Sequence, residues 1–292
     1  MNLHRVFAPT RSPAYSVFAH AGGVLLLPSI HGADVAPAYW SETGEAFADA
    51  PIDLSAIQLG PNPHLRPDPN GVVTPQGFVL CDGAYGVHLA SMSVGPAVRF
   101  APTPFAPPPE SLTRQDLMVD AAGTWWLSGY ARGDERQGRV YSSPDGRSWT
   151  LAVHEKHMVL TRILPRGERL IGLQYKQISE LTPGGLVKLG AARGHLSEAV
   201  FTTDSTVTFG EGSIGVLLDG AEKARHTPSP VARPRLLATS RGVLLGGAEG
   251  LFHSVNGLKW AQVSDKPVMA LVASKAGPLV VTTSAEVWSM RD

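Results

Sequence analysis

A seven-residue turn recurs along this chain, and that recurrence limits the fold more than any other feature. Ser143-Pro-Asp145-Gly146-Arg-Ser-Trp149 follows Tyr141, and Ser254-Val-Asn256-Gly257-Leu-Lys-Trp260 follows Leu251-Phe252-His253. Ser41-Glu-Thr43-Gly44-Glu-Ala-Phe47 follows Tyr39-Trp40. All three read as an aromatic run, then Ser-x-(Asp/Asn/Thr)-Gly-x-x-(Trp/Phe). The chemistry is local: the Asp or Asn side chain hydrogen-bonds amides of its own turn. Glycine supplies the positive φ of a tight hairpin. The closing Trp or Phe starts the next strand and anchors the turn, since an aromatic buries roughly 150–250 Å².

Weaker copies lie between: Ser91-Met-Ser93-Val-Gly95 before Phe100, Thr182-Pro-Gly184-Gly185 before Leu186-Val187, and Asp219-Gly220. Ordered by glycine, the turns sit at 44, 95, 146, 184, 220 and 257, with gaps of 51, 51, 38, 36 and 37. Upstream of the turns, short β-rich runs bounded by glycine also recur. Leu236–Ser240, Val243–Leu245 and Leu251–His253 form one series; Ala270–Ser274, Leu279–Thr282 and Glu286–Trp288 form the next. Four short strands in a unit of about 40 residues make one propeller blade.

The expectation is therefore all-β, one seven-bladed propeller spanning 1–292. Its blades are 14–50, 51–106, 115–155, 157–193, 196–227, 235–265, and 267–292 joined to 1–10. The last blade lacks a fourth strand, and His4-Arg-Val-Phe7 is an orphan strand with Phe7 in the aromatic place. Pairing the N-terminal strand with the C-terminal blade would leave no open edge there. Two Pro-rich stretches, the 61–75 insertion in the second blade and 102–109, cannot be central strands and read as surface loops.

Composition agrees. Charged residues are 17% of the chain, below the roughly 25% of an average domain, and Gly 31 with Pro 24 mark many turns. Lys+Arg and Asp+Glu are equal at 25 each, which does not favour a nucleic-acid partner. The single Cys81 can form no intramolecular disulfide or Cys-based metal site. MNLHRVFAPTRSP at the start lacks the apolar h-region of a signal peptide, and every apolar stretch, 24–28 among them, is far short of the ~20 residues that span a bilayer. The expectation is a soluble, cytoplasmic protein with no membrane insertion.

The recurring turn resembles the Asp-box (BNR) repeat of sialidases, sortilin-type receptors and photosystem II assembly-factor-like propellers. In this sequence the structural positions of that box are Ser143, Asp145, Gly146, Trp149, Ser254, Asn256, Gly257, Trp260, Ser41, Gly44 and Phe47. The resemblance implies a fold rather than an activity. It also implies that loops joining strands 2 and 3, and one blade to the next, form the binding face. That places His31, Asp34, Tyr85, Arg132, Asp134, Glu135, Arg136, Tyr175 and Lys176 as partner-binding loop residues. Glu211, Glu249, Arg193, His195 and Arg235 fall on the same face.

Chemical signatures are thin. The sialidase-type reading needs an Arg-Ile-Pro near the start; Arg162-Ile163-Leu164-Pro165 departs from it in sequence and place. Glu211, Glu249 and Glu286 are the carboxylates a glycosidase reading would draw on. His154 and His157 have i, i+3 spacing but lie in an inter-blade loop, and no HExxH, GxxxxGK[ST] or GxSxG occurs. No catalytic, metal or cofactor site is expected. The function expected is a non-catalytic binding or scaffold propeller with a protein partner. The alternative is a glycan-binding or sialidase-like hydrolase propeller.

Overall fold

A computed structural model of the chain describes residues 2–10, 15–20, 23–28, 30–31, 36–53, 55, 64–65, 78–81, 90–93, 97–102, 112–131, 137–156 and 160–291. Every regular element among them is a β-strand. Among the described residues no helix is long and apolar enough to cross a membrane. Contacts divide the chain into two units, Met1–Pro104 with Lys266–Asp292, and Phe105–Asp265.

The first unit holds three four-stranded sheets. One runs Tyr15–His20, Gly23–Pro28, Ala38–Ser41, Ala48–Ala50 from edge to edge. Its second strand is the run Val24-Leu-Leu-Leu27, all at 0% exposure. A strand buried on both faces has no polar side to alternate with, so the sequence reads as an unbroken apolar block. Val243–Leu245 and Leu279–Val281 obey the same rule in their own sheets. At the edge, Ala48–Ala50 is mostly exposed.

A second sheet joins the two ends of the polypeptide. Asn2–Phe7 pairs antiparallel with Val287–Arg291, with Arg5 opposite Trp288 and Phe7 opposite Val287. The orphan N-terminal strand is thus the fourth strand of the C-terminal sheet. Phe7 lies 4.6 Å from the Tyr39 ring and 5.1 Å from that of Phe47, so its burial ties this sheet to the next. Glu286 fixes the seam: it accepts from Arg5 Nη1 at 3.1 Å and from Trp288 Nε1 at 3.2 Å. The third sheet contains Phe78–Cys81, Ala90–Ser93, Val98–Pro102 and the parallel strand Ile52–Asp53. Of the 61–75 insertion only His64–Leu65 is described; it pairs with Ile30–His31 in a two-stranded sheet, so the expected surface loop carries a short strand.

The second unit holds two four-stranded sheets, Leu112–Val119 to Thr150–Lys156 and Arg235–Thr239 to Ala261–Ser264, and one six-stranded sheet between them in sequence. The seven separate blades expected are therefore corrected: five sheets are separate and four-stranded. The segments 157–193 and 196–227 share one sheet because one strand, Gly185–Phe201, runs through the expected break. Arg169–Thr182 and Gly185–Phe201 are 14 and 17 residues long. Each absorbs its change of direction as an irregularity within the ladder rather than as a turn between strands. Ala191 stitches the long strand to the far edge: its N–H donates to Glu222 O and its carbonyl accepts from Ala224 N, both at 2.9 Å.

The box turns make the local bonds their residues imply. Ser143 Oγ accepts from the Gly146 N–H at 2.9 Å, and Asp145 Oδ1 accepts from the Arg147 and Ser148 N–H groups at 2.8 and 2.7 Å. Those amides hold the Asp145 carboxyl down at about 2. Asn256 Oδ1 accepts from Leu258 and Lys259 N–H, and Ser41 Oγ from Gly44 N–H. Each turn also docks on other strands. A Cβ on Gly257 would stand 2.7 Å from Val216 Cγ2, and one on Gly44 would stand 2.5 Å from Ser274 Oγ. The closing aromatics Trp149, Trp260 and Phe47 are half-buried.

Candidate functional site

Three non-glycine residues among those described have positive φ: Lys176 at 62°, Glu211 at 47° and Ala285 at 61°. A side chain in this region costs roughly 1–2 kcal/mol, so its place in a fold is worth examining. Two of the three lie together in the six-stranded sheet.

Lys176 sits at the kink of Arg169–Thr182. Tyr175 pairs with His195 and Gln177 with Ala191. One residue on the kinked strand therefore faces three, Ala192, Arg193 and Gly194, on the long strand. The bulge relieves the mismatch and turns the side chains outward. Tyr175 is 57% exposed, and Lys176, Arg193 and His195 are exposed with it. Lys176 Nζ lies 4.9 Å from the Tyr175 ring centre, and the His195 ring meets the same tyrosine edge-on at 6.2 Å. Glu211, in the turn between Ser205–Gly210 and Ser213–Leu218, packs on the bulge. A Cβ on Gly194 would stand 2.7 Å from Glu211 Cβ. Glycine at 194 is required there twice over, by that contact and by its φ of 73°.

A second group of charges spans the three sheets of the same unit. Buried Asp116 accepts from the Ile163 N–H at 2.7 Å and stands 4.0 Å from Arg162 Nε. Arg162 Nη1 is 3.5 Å from Glu198 Oε1, which also accepts from Arg235 Nη1 at 3.1 Å. The alternating series Asp116, Arg162, Glu198, Arg235 links the strands Leu112–Val119, Arg162–Arg166, Gly185–Phe201 and Arg235–Thr239. Its charges pair with one another, so its evident work is to hold those strands in order.

Tyr175 and Lys176, read from the sequence as loop residues, thus lie within a strand, at its kink. His31 is in the short strand Ile30–His31. Asp34, Tyr85, Arg132, Asp134, Glu135 and Arg136 lie outside the described residues. Of the carboxylates considered for hydrolysis, Glu249 Oε1 accepts from the Ala232 N–H at 3.2 Å and Glu286 holds the seam, while the stem of Glu211 packs on Gly194. Arg162 is committed to the charge series. His154 Nε2 is 3.2 Å from Gln137 Oε1; His157 is outside the described residues. No group of three metal-ligating side chains occurs among those described. Asp116 and Glu198 were missed in the sequence, where neither stands in a motif. Gly194 carried the available signal, since an isolated glycine within a β-rich run marks a bulge.

The fold is that of an all-β propeller. The chain is similar to BamB from Moraxella catarrhalis with a TM-score of 0.58 and 9% identity, over 100% of this chain and 98% of that one. It is similar to YCF48 from Cyanidioschyzon merolae at 0.60 and 11%, over 98% and 97%. It is also similar to BBS1N, solved in complex with ARL6DN, at 0.58 and 11%, over 98% of each chain. At such identities the likeness shows the fold alone. No protein-family model and no curated protein sequence matches the chain.

Proposed function

We propose that this chain is a non-catalytic binding propeller, one domain over 1–292, that engages a protein partner through the Tyr175 patch. The observation that carries the reading is an aromatic ring 57% exposed at a kink whose next residue has φ 62°. Tyrosine and tryptophan dominate the energetics of protein interfaces, because a rigid ring buries a large area at little cost in side-chain entropy. A backbone that accepts strain to display such a ring is spending stability on something other than folding. BBS1N, a propeller neighbour, was solved with a protein partner, which supports a binding role for this fold.

The test is affinity capture from the source cell's lysate with the wild-type chain, Tyr175→Ala and Val255→Ala. Val255 is an exposed apolar residue in a box turn, at 79%, and serves as control. A protein held by wild type and Val255→Ala but lost from Tyr175→Ala, at unchanged melting temperature, is the expected result. A hot-spot tyrosine is worth about 2 kcal/mol or more, a loss of roughly 30-fold in affinity. Capture indifferent to Tyr175→Ala would refute the assignment. Binding on a glycan array with no protein captured would favour the glycan reading instead.

A further inference from the structure

We infer that the partner segment seated on the Tyr175 patch is acidic: carboxylates reach Lys176 and Arg193 while an apolar or aromatic side chain covers the tyrosine ring. This rests on the reading above, and adds to it the chemistry of the partner. Several arginines elsewhere in the same unit are matched. Arg166 holds Asp219 through two bonds of 2.8 and 2.7 Å, Arg169 is paired with Glu180, and Arg162 and Arg235 share Glu198. The patch brings two cations together with no such pair. Neither Lys176 nor Arg193 has a carboxylate within ion-pair distance among the described residues, and Lys176 instead lies over the Tyr175 ring.

The acids near the patch do not pair with its cations. Glu198 is held by two arginines, and Glu211 lies with its stem against Gly194. The field of Arg193 is also felt inward. His226 is held below its ordinary value first by burial and then by the Arg193 charge. A chain with equal numbers of basic and acidic residues, 25 each, has no overall field to steer a partner. Recognition by charge then depends on local imbalance, and a partner that supplies the missing carboxylates gains both orientation and association rate.

Photo-crosslinking of the full chain tests this while the partner is still unidentified. The crosslinking residue p-benzoylphenylalanine replaces His195, beside the tyrosine, and irradiation is done in the source cell's lysate. The crosslinked segments are then identified by mass spectrometry. Acidic segments are expected, with yield falling roughly tenfold when Lys176→Glu and Arg193→Glu are combined. A similar fall is expected as salt rises from about 0.1 M to about 1 M, where the Debye length shrinks from about 10 Å to about 3 Å. The milder pair Lys176→Gln and Arg193→Gln, with melting temperatures of all variants, guards against loss by misfolding. Neutral or basic crosslinked segments, or yields indifferent to charge and salt, would overturn the acidic partner and leave the Tyr175 interface standing. No crosslink from position 195 would overturn both.

Discussion

Replacing Gly257 with alanine separates the two roles of a box glycine. Gly257 has φ 74°, where an alanine costs roughly 1–2 kcal/mol. Its new Cβ would also stand 2.7 Å from Val216 Cγ2 and 3.1 Å from Val207 Cγ2. Both valines belong to the buried cluster with Val243 and Leu245, and overpacking such a cluster costs roughly 1–3 kcal/mol. Together the penalty is about 2–5 kcal/mol. Gly220 is the natural control: its φ is 78°, but nothing lies within 4 Å of the added carbon. Gly220→Ala carries only the conformational part, about 1–2 kcal/mol. Urea unfolding of the three proteins, analysed by linear extrapolation, measures the difference. If Gly257→Ala and Gly220→Ala cost the same, the box turn does not dock on its neighbour as described, and the glycine is there for its backbone alone.

Further outcomes follow from the charged and titrating groups. Asp116→Ala removes the acceptor of the buried Ile163 N–H and is expected to cost about 1–3 kcal/mol in urea unfolding. Asp116→Asn keeps an acceptor there and costs less. Asp145, held at about 2 against an ordinary 3.8, contributes stability above the higher value and loses it as pH falls through the lower. Melting temperatures between about pH 4 and pH 2 should therefore fall more steeply for wild type than for Asp145→Asn. His226 is kept neutral by burial and then by Arg193. Its contribution is present above the ordinary 6.5 and lost as pH drops below it. From about pH 7.5 to about pH 5.5 wild type should lose more stability than His226→Gln, and Arg193→Gln should lessen the loss. An equal slope in wild type and His226→Gln would refute that assignment.

The features legible along the chain are those that a few neighbouring residues decide among themselves. The Ser143 and Asp145 bonds span two or three positions, so residue types at fixed spacing are sufficient to foresee them. The unbroken apolar runs Val24–Leu27 and Leu279–Val281 announce strands buried on both faces. The orphan strand at His4–Phe7 is placed by arithmetic, since one sheet lacks a strand and one strand lacks a sheet.

The chain order of residues does not show where a sheet stops. Gly194 and Lys176 look like points between strands; in the fold they are a bulge and a kink, because the ladder on either side resumes after a shift of register. That is decided by pairing across the sheet, not by the residues at the break. The same holds for the charges. Asp116 meets the Ile163 amide across 47 positions, and Arg235 meets Glu198 across 37. Separations of this length carry no periodic trace, so only the stacking of one sheet on the next reveals them. The sequence by itself determined the turns, the strands and the joining of the two ends. Tertiary structure decided that two expected blades share one sheet, and that Tyr175 faces outward beside two cations with no ion pair among the described residues. Turns obey short-range geometry, whereas exposure and charge matching depend on what distant segments leave uncovered.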